Sequence, residues 1–203
     1  MPAPTTIYFA QLDPIWQDWV QLVNVGNAPA RVVCLARDIN ANAVWSAENT
    51  LNPFCGWTPL VETVKVSTSL QVTSNQPIVG ERHCHYGSQV LDFPGASVEC
   101  KTIGRRLFFP ELVAGAGEFF RFLNVGDVDA HVTLTIRTTD GRVMRQRSNV
   151  IPSYRWWDVS DNETGDWQGT VEVTSSQPIL GERHLHYAGG QTAVGQLGQA
   201  LDG

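Results

Sequence analysis

Glu81, His83 and His85 recur in the chain as Glu182, His184 and His186. Each set lies in a near-identical segment, SNQPIVGERHCHY at 74 to 86 and SSQPILGERHLHY at 175 to 187, with ten of thirteen positions identical. Side chains two apart on a strand share a face. The two imidazoles of each copy then project in parallel with a carboxylate beside them, while Arg82, Cys84 and Tyr86 take the other face. His-x-His with a neighbouring carboxylate is a ligand set for Zn²⁺, and an open coordination position would make a metal-dependent hydrolase of it. The competing reading is structural: Glu and Arg engage in cross-strand ion pairs and the imidazoles pack or hydrogen-bond. That reading is favoured, because neither a His-Glu-x-x-His nor a Cys-x-x-Cys motif supports the His pairs as a metal centre. Gly80 is the weak point of the register, since a bulge there would exchange the two faces.

Other chemistry is thinner. The chain has no GxSxG elbow, P-loop or GxGxxG, and no Ser, His and Asp single themselves out as a triad. The expectation is therefore no catalytic residue and no required cofactor. Asp158 and the segment VSDNETGD that follows it gather Asp158, Asp161, Glu163 and Asp166, a set of oxygens suited to Ca²⁺, although a solvated acidic loop is the favoured reading. Asn162 opens a glycosylation sequon there. Trp156 and Trp157 are adjacent and must face opposite ways on a strand. Trp157 aligns with Trp57 of the first copy and Trp156 with Gly56, so Trp157 is expected inside and Trp156 exposed, where it could stack on a sugar ring or anchor a protein.

The elements that position these residues are strands. Ala130, Val132, Leu134 and Ile136 alternate with polar neighbours, as do Val171 and Val173, and Leu70 and Val72. Turn signals separate the runs: VGNAP, VGDVD, TTDGR, SNQP and SSQP. In NVGN and NVGD the glycine is expected at a positive φ. The duplication extends far beyond the opening segment, because WVQLVNVGNAPARV at 19 to 32 matches FFRFLNVGDVDAHV at 119 to 132. A period near 100 residues is too long for a solenoid repeat and about the size of one sandwich. The reading is all-β, with two tandem homologous β-sandwich domains at 1–100 and 101–203.

A formal charge of −6, with none of the 14 Lys and Arg in a long run, argues against nucleic acid as a partner. No apolar run is long enough for membrane insertion. MPAPTTIYFAQ lacks the charged start and long apolar stretch of a signal peptide, which leaves a mature or excised form open. All four cysteines fall in or just after the first copy. Cys34 aligns with Leu134 and Cys84 with Leu185, and this joint replacement suggests a disulfide between them, with Cys55 and Cys100 as a second pair; four free thiols are the alternative.

An aromatic opening strand, NVG(N/D)xxA before an alternating strand, a Thr-rich turn, and a late strand opening on QPI and running into ER together resemble the single-domain sensory rhodopsin transducer-like family. The same order is similar to bacterial extracellular repeats whose units end in a QPI..ER strand. The resemblance implies a sandwich that oligomerises or decorates a larger protein, with no chemistry attached, and it does not include the His pairs. The functional expectation is a non-catalytic assembly or recognition protein, a filament subunit or adapter working through sheet surfaces. Its partners would be further copies of itself or another protein, with carbohydrate as an alternative. Metal binding through Zn²⁺ or Ca²⁺ is the other alternative, and an extracellular or surface location is favoured. TIYFAQL and the final TAVGQLGQAL, nearly without charge, are the expected edges: the latter either adds to a neighbouring sheet or completes its own domain.

Overall fold

The computed structural model describes residues 5–160, 168–187 and 189–201. The chain is all-β and divides into two compact units, Met1–Ser97 and Val98–Gly203. In the first unit, β1 (Thr5–Leu12), β6 (Thr68–Ser74), β3 (Ala30–Arg37) and β4 (Ala43–Leu51) form one antiparallel sheet in that order. A second antiparallel sheet runs β5 (Gly56–Trp57), β2 (Trp19–Asn24), β7 (Ile78–Tyr86), β8 (Gln89–Pro94). Alternation sends one face of each sheet inward, and Phe9, Val32, Leu70 and Val72 of one meet Val20, Leu22 and Ile78 of the other in a single core. Among the described residues a single 3₁₀ turn, at Val61–Thr63, interrupts the strands, and no helix there is long and apolar enough to cross a membrane.

The second unit uses the same order with one difference. Its strands are β9 (Ile103–Leu112), β10 (Gly117–Asn124), β11 (Ala130–Thr138), β12 (Val143–Ile151), β13 (Trp156–Ser160), β14 (Gly169–Tyr187), β15 (Thr192–Leu197) and β16 (Gln199–Ala200). The 19-residue β14 serves both layers. Its first part lies between β9 and β11, its last between β10 and β15, and the register on β9 shifts between Thr174 and Ile179, at SSQP. Phe109, Phe120 and Phe122 fill this core with edge-on and stacked contacts.

The repeated NVG turn is built on its asparagine. Asn24 donates from Nδ2 to the carbonyls of Ala28 (2.8 Å) and Leu51 (3.0 Å) and accepts from the Gly26 N–H (2.9 Å). Asn124 makes the same three bonds with Val128, Ile151 and Gly126. The glycines serve space rather than the expected positive φ: a Cβ on Gly26 would lie 3.0 Å from Gln76 Oε1 and 3.1 Å from Pro77. Positive φ falls elsewhere, at Gly141 of TTDGR and at Ala41 in the matching turn of the first unit.

Both expected edges close on their own unit. Tyr8 of β1 exchanges two backbone hydrogen bonds of 2.9 Å with Ala96. TAVGQLGQAL runs as β15 against β14 and then as β16 against β9, so it completes its own fold and strand addition to a neighbour loses that support.

Candidate functional site

The repeated segment lies flat in its sheet, with β2 and β7 paired in unbroken register from Trp19↔His83 to Asn24↔Ile78. Gly80 forms no bulge there. Its α-carbon faces the core so closely that a Cβ would sit 2.8 Å from Ile7 and Leu22, and Gly181 meets Phe109 at 2.9 Å in the same way. The alternation then turns Arg82 and Cys84 inward, where both are buried, and leaves Glu81, His83 and His85 on the outer face.

The inward arginine of each unit is buried beside a carboxylate. Arg183 is fully buried and donates from Nη2 and Nε to the two oxygens of Glu118 (2.9 and 3.3 Å), and from Nη1 to Gln196 (2.7 Å). Glu118 also accepts the Val113 N–H at 2.7 Å. In the first unit Arg82 lies 3.7 Å from Asp18, its guanidinium stacks 4.5 Å over the Phe93 ring, and Asp18 accepts the Asp13 N–H. The arginine of ER thus takes part in a buried ion pair whose partner, Asp18 or Glu118, comes from near the start of the unit and closes the loop before β2 or β10. Asp18 and Glu118 align in the duplication, and this retained negative charge was the signal that could have found them.

On the outer face the two copies part company. His83 meets Asp92, its register partner on β8, through Nδ1, while its Nε2 stands 3.8 Å from Glu81 Oε1. Glu81, His83 and Asp92 therefore gather at one point, half-exposed, with the Trp19 ring 5.7 Å from the imidazole. His85 is not in this group and instead lines the neighbouring cleft. In the second unit Glu182 and His184 are buried, the residue opposite His184 is Gly195, and His184 packs edge-on against Phe119. His184 and His186 rings are 6.4 Å apart. Of the expected Glu81, His83 and His85, the first two thus gather with Asp92 rather than with His85, and in the second unit Gly195 stands opposite His184 where Asp92 stands opposite His83.

A cleft of about 520 Å³ opens beside Trp19. The loop before β2 supplies Asp13, Pro14, Trp16 and Gln17, and the segment after β5 supplies Val61, Glu62, Val64 and Val66. Asp13, Asp18 and Glu62 line it without any Lys or Arg. Around it the chain exposes large apolar side chains, with Ile15 at 70%, Leu60 at 61% and Trp19 at 50%. In the duplication Asp13, Trp16 and Trp19 align with Val113, Ala116 and Phe119, so the cleft's chemistry belongs to the first unit.

Trp156 is not exposed. Trp157 packs on the core beside Phe122 as expected, and Trp156 takes the opposite face, but the guanidinium of Arg121 stacks 4.6 Å over it and leaves it 8% accessible. Arg121 in turn donates to both oxygens of Asp158 (2.6 and 2.9 Å), which engages one carboxylate of the supposed Ca²⁺ set. Asp161, Asn162, Glu163 and Asp166 lie outside the described residues. All four cysteines are thiols, and neither expected disulfide is present. Cys34 and Cys84 sit on β3 and β7, which belong to different sheets, and burial pushes the Cys34 thiol up to about 12. Both fill core positions as small apolar groups, while Cys55 and Cys100 are exposed.

No family model and no curated protein matches the chain. Among solved structures it is similar to a calcium-binding mutant of Bacteroides uniformis beta-glucuronidase 2 (9% identity, TM-score 0.22, over 95% of this chain and 26% of that one). A beta-glucuronidase from glycoside hydrolase family 2 (9%, TM-score 0.23, 95% and 23%) and a putative beta-galactosidase from Bacteroides fragilis (14%, TM-score 0.19, 95% and 31%) are also similar. The chain spans about a quarter to a third of the length of these structures.

Proposed function

We propose that the chain is a non-catalytic β-sandwich recognition protein whose first unit binds a polypeptide presenting a basic side chain next to an apolar one. The observation that carries this reading is the cleft walled by Trp16 and Trp19, with Asp13 and Glu62 in its lining, His85 beside them and no Lys or Arg there. Indole faces attract cations, and carboxylates at the rim steer them. Exposed large apolar groups in a cluster rimmed by polar side chains mark contact surfaces for other proteins, and tryptophan is the residue type most enriched where such contacts gain their energy. A net charge of −6 makes a second copy a poorer occupant of an acidic cleft than a basic partner. The second unit keeps the buried Arg–carboxylate pair but not the cleft residues, so it supports the fold without duplicating the contact.

Selection of displayed random peptides on the full chain tests this, with counter-selection on a Trp16→Ala, Trp19→Ala variant. The expected pool is enriched in Lys or Arg beside aliphatic or aromatic residues and is lost on the variant. An unenriched pool, or one that binds the variant equally, overturns the reading. Self-association through the same face would also overturn it, and would show as a concentration-dependent mass that the variant lacks.

A further inference from the structure

We infer that Glu81, His83 and Asp92 form a divalent transition-metal site of the Zn²⁺ type, non-catalytic and confined to the first unit. The sheet itself brings the three together. Glu81 and His83 are two apart on β7 and share its outer face, and Asp92 is the residue directly opposite His83 on β8. Asp92 lies against Nδ1 of the imidazole, and Nε2 is turned toward Glu81. A carboxylate behind a histidine, with the other ring nitrogen free to ligate, is the arrangement that orients metal-binding imidazoles and raises their basicity.

The remaining distance fits an ion. Nε2 and Glu81 Oε1 are 3.8 Å apart, and bonds of about 2.0–2.1 Å to each would meet at roughly 130–145°. Rotation of the Glu81 carboxylate, which is 54% exposed, closes that angle toward tetrahedral. The other coordination positions face solvent, so water completes the shell and the ion exchanges readily. The second unit supplies an internal contrast: Gly195 stands where Asp92 does, and Glu182 and His184 are buried. Trp19, 5.7 Å from the imidazole, gives the site a spectroscopic reporter.

Calorimetric titration of the full chain with zinc chloride tests the inference, with Ni²⁺ quenching of tryptophan fluorescence as a second readout. One ion per chain is expected, with binding lost in His83→Gln and weakened about tenfold in Asp92→Asn, the size of effect an outer carboxylate has on metal affinity. His85→Gln and His184→Gln should bind as the parent does, and Trp19→Phe should bind zinc but lose part of the Ni²⁺ quenching. Zinc binding unchanged in His83→Gln, or weakened as much by His85→Gln as by His83→Gln, overturns the inference, as does the absence of any saturable heat.

Discussion

Replacing Arg183 by Met removes a buried cation and leaves the Glu118 carboxylate stranded. Arg183 is fully buried and its partner is 5% exposed, so water cannot take over the lost hydrogen bonds. Breaking such a pair from one side costs about 3–5 kcal/mol, because the remaining charge is left uncompensated in a poorly polar surrounding. Against a total stability on the order of 5–15 kcal/mol, this is a large fraction. In urea, where the slope is about 1–3 kcal/mol per molar, the unfolding midpoint should fall by on the order of 1–5 M. The second arm is the double variant Arg183→Met, Glu118→Gln. The glutamine oxygen still accepts the Val113 N–H that Glu118 now receives at 2.7 Å, but it carries no charge. At least half of the lost stability should return, since a neutral pair needs no counter-ion. Urea titrations followed by far-ultraviolet circular dichroism measure both. A single variant that loses less than about 1 kcal/mol, or a double variant no better than the single, would refute the account of the ER segment as a buried electrostatic clasp.

Thiol reagents should modify Cys55 and Cys100 rapidly in native protein and leave Cys34 and Cys84 unreacted until denaturant is added; four equal rates would contradict the burial of the second pair. Gly80→Ala should destabilise the first unit by about 1–3 kcal/mol, because its methyl would press on Ile7 and Leu22 at 2.8 Å, and a neutral outcome in thermal unfolding would show that β7 lies differently. Burial alone would raise the Glu172 pKa, but hydrogen bonds from Arg106 and Arg137 outweigh it and hold the carboxyl below its usual range. A depressed folded-state value contributes stability above the unfolded value and loses it as pH falls through the folded one. Parent protein should therefore lose more stability than Glu172→Gln between about pH 5 and about pH 3, and equal losses would contradict the ion pair.

Strand content and facing were legible because they depend on a period of two along one strand. Ala130 to Ile136 alternates in sequence and is buried at every second residue in β11, and the inward Arg82 and outward His83 follow from the same rule. What the period could not supply was a partner from another strand. Asp92 reached the imidazole through the register of β7 and β8, which is set by the turn between them. Asp18 reached Arg82 from a loop, and the cleft was assembled from two loops whose joint placement is a tertiary fact. Trp156 faced outward as alternation requires, yet its cover came from Arg121 on the neighbouring β10. The cysteines misled for the same reason: two positions replaced together in one copy belonged to two different sheets.

The most direct test of the recognition reading is the affinity of a basic peptide from the selection for the full chain, compared with its affinity for an Asp13→Asn, Glu62→Gln variant. Calorimetry at low and high salt provides the number. A half-buried and an exposed carboxylate contribute about 0.5–1 kcal/mol each to holding a cation, so the variant should bind about tenfold more weakly, and the gap should narrow as salt rises. Equal affinity for parent and variant at low salt would contradict the assignment of the Trp16 and Trp19 cleft as the site where this protein meets its partner.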